Sequence, residues 1–277
     1  MYKRQLINTV GDITLPNVHN SVPFTVFQPV TPLEVTSLIL SKSKFSPVDK
    51  ISPILLKSCS SLFSVLIADM ANLSFSQGVF PDSFKVAQVT PLIKKPSLDP
   101  DDPSSFRPIS KLRSISKSFE RLVHCRLSKH LLSSPAFSTL QSAYRILHST
   151  ETALTKVTND IFRKIDSGSP SVLVALDLSA AFDCVSHDKL LYRLTHDFGV
   201  SDVAHAWLAS YLSGRTYFVK VDSGVSDTVS VNSGVPQGSV LGPLLFSTYI
   251  SPVQRLVESF GINHVAYADD LTLYVNV

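Results

Sequence analysis

Asp269 and Asp270 are adjacent carboxylates set between two β-forming runs, Ile262-Asn263-His264-Val265-Ala266 and Leu271-Thr272-Leu273-Tyr274-Val275. Such flanks around a polar pair predict a strand, a tight turn at the pair and a returning strand. Side chains alternate faces along a strand, so neighbouring Asp residues share a face only where the backbone turns beside them. Two like charges held that close repel unless a cation lies between them, which makes the pair a candidate divalent-metal site. Taken alone, it reads more readily as a solvated hairpin tip. Two further stretches shift that balance. Ser171-Val172-Leu173-Val174-Ala175-Leu176-Asp177 is an apolar run closed by a carboxylate, which predicts a strand buried on both faces whose terminal charge needs a partner or a metal. Gly234-Val235-Pro236-Gln237-Gly238-Ser239 predicts a compact loop opening a helix. Carboxylates from separate strands are what two-metal phosphoryl transfer requires, with the ions about 3.5–4 Å apart. Oxygen ligands suit Mg²⁺, and no His/Cys spacing suits zinc.

The elements that must position these groups are legible in outline. Residues 1–30 lack a clear period and read as an extended or poorly ordered arm. Thr31-Pro32-Leu33-Glu34 predicts a helix start, with Thr31 as N-cap, Pro32 at the first helical position and Glu34 closing a capping box. Helices are predicted over 52–58 and 62–77, the second with Leu62, Val65, Leu66 and Leu73 on its apolar side and Gly78 as its stop. Residues 84–93 alternate as a strand, and 96–105 form a loop. Helical spacing returns over 115–132, with most of the basic residues opposite the apolar stripe. It returns again over 150–165, with Leu154, Val157, Ile161 and Ile165 facing inward. Downstream, helices are expected over 189–194, 202–212 and 239–260, the last bent near Pro243 or Pro252, and a strand pair over 215–221 and 228–231. His187-Asp188 reads as capping of the next helix, His264 as a sheet residue and Cys184 as core.

Composition bounds the partners. The 277 residues are 44% apolar with 17 prolines, enough for a large core built from short elements. No secretory signal and no run of about 20 uncharged apolar residues is present, so the chain reads as soluble and intracellular, in cytoplasm and nucleus, with no membrane partner. Three scattered cysteines read as reduced thiols. The formal net charge is only +3, yet residues 107–145 carry eight bases against one acid, Glu120, while residues 166–277 carry eleven acids against five bases. A basic middle and an acidic C-terminal half suit a chain that grips a polyanion with one part and metal ions with the other; solvated helix faces would read the same way on charge alone.

Ala175-Leu176-Asp177-Leu178-Ser179-Ala180-Ala181-Phe182-Asp183, Gly234-Val235-Pro236-Gln237-Gly238-Ser239-Val240-Leu241-Gly242-Pro243 and Tyr267-Ala268-Asp269-Asp270 resemble the three core palm motifs of reverse transcriptases. Phe106-Arg107-Pro108-Ile109-Ser110, Gln141-Ser142-Ala143-Tyr144-Arg145 and His148-Ser149-Thr150-Glu151-Thr152-Ala153-Leu154 extend the resemblance to the non-LTR, LINE-type retrotransposon enzymes, as do Gly78-Val79-Phe80-Pro81 and Pro91-Leu92-Ile93-Lys94-Lys95. It covers about residue 31 to the end.

The resemblance implies an α+β right-hand polymerase core: fingers over 31–170, then a partial palm over 171–277 with a small antiparallel sheet backed by helices. Family chains continue into a primer-gripping segment and a helical thumb, and many carry an upstream endonuclease, so the expectation is a truncated chain with the thumb absent. It further implies Asp177, Asp269 and Asp270 as catalytic, with Leu178 offering backbone beside them to the metal or triphosphate and Asp183 as a structural or hydrogen-bonding carboxylate rather than a metal ligand. Mg²⁺ is the expected ion and Mn²⁺ its substitute. Phe182, Gln237 and Gly238 would form the nucleotide pocket, Phe182 rejecting a ribose 2′-OH by bulk, with simple core packing as its plainer reading. Arg107, with Lys111 or Arg113 beside it, would meet triphosphate or template phosphate. The implied partners are an RNA template, a DNA primer and dNTPs. Two other readings stay open: a catalytically inactive retroelement remnant with residual nucleic-acid binding, and a two-metal nuclease, which would leave Phe182 and the Gln237 loop unused.

Overall fold

The Thr31 hydroxyl accepts a hydrogen bond from the Glu34 N–H at 3.3 Å, and Pro32 takes the first helical position, where a missing N–H is no loss. This start belongs to α1 (Pro32–Leu40) of the computed structural model, which describes residues 22–41, 46–178 and 180–276. Glu34 does not close the expected capping box. Its carboxylate turns instead to Arg126, in a two-pronged pair at 2.8 and 3.0 Å. The same guanidinium donates to the carbonyls of Gln28 and Pro29. Residues 1–21 of the predicted arm lie outside the described residues, and the part that follows is docked rather than loose. Phe24 bridges Val200, and Phe27 and Val30 are buried.

After α2 (Pro53–Ser58) comes α3 (Ser60–Gln77), ended by Gly78 in the left-handed conformation. Here the predicted apolar side was the wrong one. Leu62, Val65, Leu66 and Leu73 are exposed, while Ser64, Ile67, Ala68, Ala71, Ser74 and Phe75 face the core. Small residues on that face let α1 and α7 (Asp202–Leu212) approach closely, and Trp207 of α7 donates its indole N–H to the Ser74 hydroxyl at 2.9 Å. Gly78 sits so near α7 that a Cβ there would meet Ala206 at 3.0 Å.

Phe84, expected at the start of a strand, lies in a short 3₁₀ turn (Asp82–Phe84), and β1 begins later (Val86–Ile93). It pairs antiparallel with β2 (Phe106–Lys111). Then follow α4 (Ser114–Ser133), α5 (Thr150–Asp166), β3 (Ser171–Leu176) and α6 (His187–His196). The cap of α6 is Ser186, whose hydroxyl accepts from the Lys189 N–H, while the His187 ring meets the Gly234 carbonyl at 2.8 Å. β4 (Arg215–Val221) lies parallel to β1 and pairs antiparallel with β5 (Gly224–Val225) and with β6 (Val229–Val231), as its sequence predicted for the last. The long helix α8 (Gly242–Ser259) carries Pro243 in its first turn and Pro252 inside.

A second sheet closes the chain. In it β8 (Asp270–Asn276) lies between β3 and β7 (Asn263–Tyr267), all antiparallel, with α5 and α8 packed on β7. The small antiparallel sheet backed by helices is therefore present. The burial of β3 is not as expected: Val172, Leu173, Val174 and Leu176 are between 41% and 49% exposed. β3 is an edge strand, paired on one side only among the described residues. α5 likewise buries Ala153 and Val157 but leaves Leu154 and Ile165 exposed, and Cys184, expected in the core, is exposed. The main core lies elsewhere, where α1, α3, α4, α6, α7 and α8 meet around Trp207, Tyr211, Phe80 and Phe119.

The Arg126–Glu34 pair ties α4 to α1, and Arg126 holds the Glu34 carboxyl below its ordinary value. Ionised Glu34 therefore favours the folded state above the unfolded carboxyl's range, and that contribution is lost as the pH falls through the lowered folded value. Arg126→Met should cost about 2 kcal/mol at pH 7. The deficit in urea melts should shrink progressively below about pH 4.

Candidate active site

The register of the second sheet brings the carboxylates together. Tyr267 pairs with Asp270, so the hairpin turn is Ala268-Asp269, one residue earlier than the predicted tip at Asp269-Asp270, and Asp270 already begins β8. Leu176 pairs with Leu271, which sets Asp177, the residue after β3, beside Asp270 on the neighbouring strand. The Asp270 carboxyl is pushed above its ordinary value by partial burial first, then by the charges of Asp269 and Asp177. Tyr144 is raised by burial and by the Asp269 charge, which puts its phenol in the same field. Among the described residues no group of three or more His, Cys, Asp or Glu side chains is placed to hold a metal ion as it stands. The three aspartates share one field without completing such a group. Beside them a groove of about 350 Å³ runs between α5 and the sheet, lined by Thr150, Ala153, Asp177, Tyr267 and Asp270. Leu178 is half-buried against the main core.

The loop over 233–241 is stitched to its surroundings by backbone. Gly234 donates to the Val185 carbonyl at 2.7 Å and Val235 to the Phe182 carbonyl at 2.9 Å. Gln237 accepts at its carbonyl from the Ser110 N–H at 2.8 Å, joining the loop to the end of β2. Gly238 has φ +107, and a Cβ there would stand 2.7 Å from the Ser110 carbonyl oxygen, so only glycine fits. The Gln237 side-chain amide donates to both carboxylate oxygens of Asp183, at 3.2 and 3.1 Å. Asp183 is thus the hydrogen-bonding carboxylate that the resemblance implied. Phe182 is half-buried and stacks on Phe246, ring centroids 4.7 Å apart. Asp183, Gln237, Arg215 and Tyr217 line a cavity of about 460 Å³ behind the loop.

Residues 93–277 match the family described as "Reverse transcriptase (RNA-dependent DNA polymerase)". The chain belongs to the reverse transcriptase family. It is 30% identical over 261 residues to the "Probable RNA-directed DNA polymerase from transposon BS" of Drosophila melanogaster, covering 91% of this chain and 28% of that protein. To the "Probable RNA-directed DNA polymerase from transposon X-element" of the same species it is 33% identical over 259 residues, covering 90% and 27%. The chain therefore spans little more than a quarter of the length of these curated relatives. Among solved structures, an apo telomerase from Candida tropicalis truncated from its C-terminal domain aligns with a TM-score of 0.49 at 13% identity, over 71% of this chain and 45% of that one.

In this family member the sequence-predicted residues fall into separate groups. Asp177, Asp269 and Asp270 gather at the end of the three-stranded sheet, and Gln237 and Gly238 gather against Ser110. Arg107 is exposed on β2 opposite Leu92, and Lys111 ends the same strand opposite Gln88. Arg113 precedes α4 and lines a different cavity with Asp49 and Phe84. No helix among the described residues is long and apolar enough to cross a membrane.

Sequence reasoning missed Glu120. This lone acid of the basic middle is fully buried, and its Oε2 accepts from the Val240 N–H at 2.7 Å, the Leu241 N–H at 3.1 Å and the Tyr211 hydroxyl at 3.3 Å. Burial raises its carboxyl above the ordinary value. The signal was available, since Ser116, Val123 and Leu127 stand at i−4, i+3 and i+7 from it, which places Glu120 on the buried face of α4.

Two outcomes follow from this geometry. Gly238→Ala should destabilise the chain by about 1–3 kcal/mol, measured by urea unfolding, because it forces an L-residue into strained backbone against Ser110. Asp270→Asn should raise the melting temperature of the metal-free chain at pH 7. A carboxyl held above its ordinary value destabilises the fold progressively as pH rises through the window between its unfolded and folded values, so the gain should vanish at acid pH, where both chains are neutral at this position.

Proposed function

We propose that this chain is the catalytic part of an RNA-directed DNA polymerase that extends a primer 3′-OH with dNTPs on an RNA template, as a step in retrotransposition. The observation that carries the reading is the convergence of Asp177, Asp269 and Asp270 at one end of the three-stranded sheet, within a chain of the reverse transcriptase family. In this reading residues 31–170 form the fingers and 171–277 part of the palm. By donor type the set suits a pair of Mg²⁺ ions, or Mn²⁺ in their place: every group is a hard oxygen, and the Asp270 carboxyl is lifted by burial and then by the charges of Asp269 and Asp177, a repulsion that a divalent cation relieves. Bound ions would supply charge neutralisation at the phosphates and a lowered pKa for the attacking hydroxyl.

The chain's own residues do the rest. Asp177 and Asp269 act as the main ligands, with Asp270 beside them and the Leu178 backbone turned to the triphosphate. Phe182, made rigid by its stack on Phe246, lies under the incoming sugar and excludes a 2′-OH. Gln237 and Gly238 form the floor of the nucleotide pocket, Gln237 braced by Asp183 and Gly238 by close contact with β2. Exposed Arg107, with Lys111 on the same strand, meets template or triphosphate phosphate, while Arg113 has a weaker claim because it faces another cavity.

The test is primer extension on an RNA template with Mg²⁺. Asp177→Asn and Asp269→Asn should each lower incorporation by on the order of 10³-fold while leaving template-primer affinity nearly unchanged. Binding without incorporation by the unaltered chain, or incorporation that both variants retain, would sink the reading.

A further inference from the structure

Gln141 belongs to the Gln141-Ser142-Ala143-Tyr144-Arg145 stretch, to which the reading above gives no task. Its side chain is completely buried. Around it the backbone runs alongside β7: the Ala266 N–H donates to the Leu140 carbonyl at 3.0 Å, and the Ser142 N–H donates to the Ala266 carbonyl at 2.8 Å. Gln141 and Ala266 thus form a parallel bridge on the edge of β7 away from β8.

Backbone groups at i and i+2 of a strand point to the same edge, so the next groups along this edge belong to Ala268, the first residue of the hairpin turn. Among the described residues no backbone strand continues the pairing there. The Gln141 side-chain amide does: its Nε2 donates to the Ala268 carbonyl at 3.1 Å, and its Oε1 accepts from the Ala268 N–H at 3.0 Å. Oε1 also accepts from the Ala143 N–H at 3.1 Å. The amide can lie only one way round, because both N–H groups need its oxygen and the Ala268 carbonyl needs its nitrogen.

Ala268 needs such a hold. Its φ is +56°, a left-handed conformation that suits glycine and strains an L-residue. The strain lies directly before Asp269 and Asp270. A turn free to relax at Ala268 would rotate the following peptide and swing both carboxylates. We propose that Gln141 is a positioning residue whose side-chain amide serves as one more rung of the β7 ladder, fixing the Ala268 turn and with it the direction in which Asp269 and Asp270 face Asp177. The geometric half of this inference stands on the hydrogen bonds alone, and its consequence for turnover rests on the polymerase reading.

The test combines amide hydrogen exchange with primer extension on the full chain. In Gln141→Leu, exchange at Ala268 and Asp270 should accelerate roughly tenfold while α4 and α7 keep their protection. Gln141→Glu keeps the acceptor but loses the donor to the Ala268 carbonyl. It should leave the Ala268 amide protected and still lower kcat by roughly tenfold, with KM for dNTP changed by less than about threefold. Ala268→Gly added to Gln141→Leu should recover part of the lost kcat, since glycine holds a positive φ without help. Unchanged exchange at the turn in Gln141→Leu, or a Gln141→Glu chain that turns over like the unaltered one, overturns the proposal. Should Gln141→Leu lose protection everywhere, the Glu variant, with two of the three bonds retained, decides. A chain that polymerises nothing yet shows the expected exchange pattern refutes the polymerase reading and leaves the clamp standing.

Discussion

Asp177, Asp269 and Asp270 repel one another, and nothing in their own chemistry brings them together. Their nearness is imposed by the ladder between β3 and β8, whose paired residues run from Ser171 with Asn276 to Leu176 with Leu271. Alternate pairs exchange backbone hydrogen bonds worth little singly, but together they set a register in which a slip of one residue would turn every side chain to the opposite face. The Asp270 carboxyl is raised by partial burial first and then by the Asp269 and Asp177 charges that this register brings near it. A site of this kind is held by backbone and relieved by a ligand, so the strands must be sound before the charges can be used.

The second half of the site follows the same logic with a buried carboxyl. Glu120 reaches from α4 to the two N–H groups that open the way into α8, and Tyr211 of α7 adds its hydroxyl. The buried carboxyl gathers three donors on Oε2 and feels the charge of Arg215, while burial, the larger effect, favours its neutral form. In consequence the 233–241 loop is fastened from three sides: below by Glu120, behind by residues 182–185, and above by Ser110 of β2. The close approach at Gly238 makes the end of β2 and the loop move as one piece.

Burial is uneven across the molecule. The helical core around Trp207 is tightly closed, whereas β3 and the outer side of α5 leave large apolar side chains exposed beside the carboxylates. The three aspartates thus sit beside the less enclosed of the two cores, where a groove of about 350 Å³ opens next to Asp177 and Asp270.

Local signals carried most elements because their causes are local. Thr31 and Pro32 start a helix, Gly78 stops one, and alternation writes the hairpin around Tyr267-Ala268-Asp269-Asp270. The types and order of the candidate site residues could be read as well, since a carboxylate after an apolar run and a Gln-Gly loop before a helix are local features. What the sequence could not decide was which face of an element finds company. The α3 stripe pointed to Leu62 and Leu66, yet close packing against α1 and α7 selected the small face with Ala68 and Ala71. β3 looked doubly buried, yet it lies at a sheet edge. Glu34 had the spacing of a capping box, yet Arg126, 92 residues away, offered a stronger charged partner. The sequence by itself determined the chemical alphabet and the turns. The tertiary structure alone decided the register that aligns Asp177 with Asp270 and the contact that brings Gln141 to Ala268, because both depend on pairings between segments about a hundred residues apart, which no local propensity encodes.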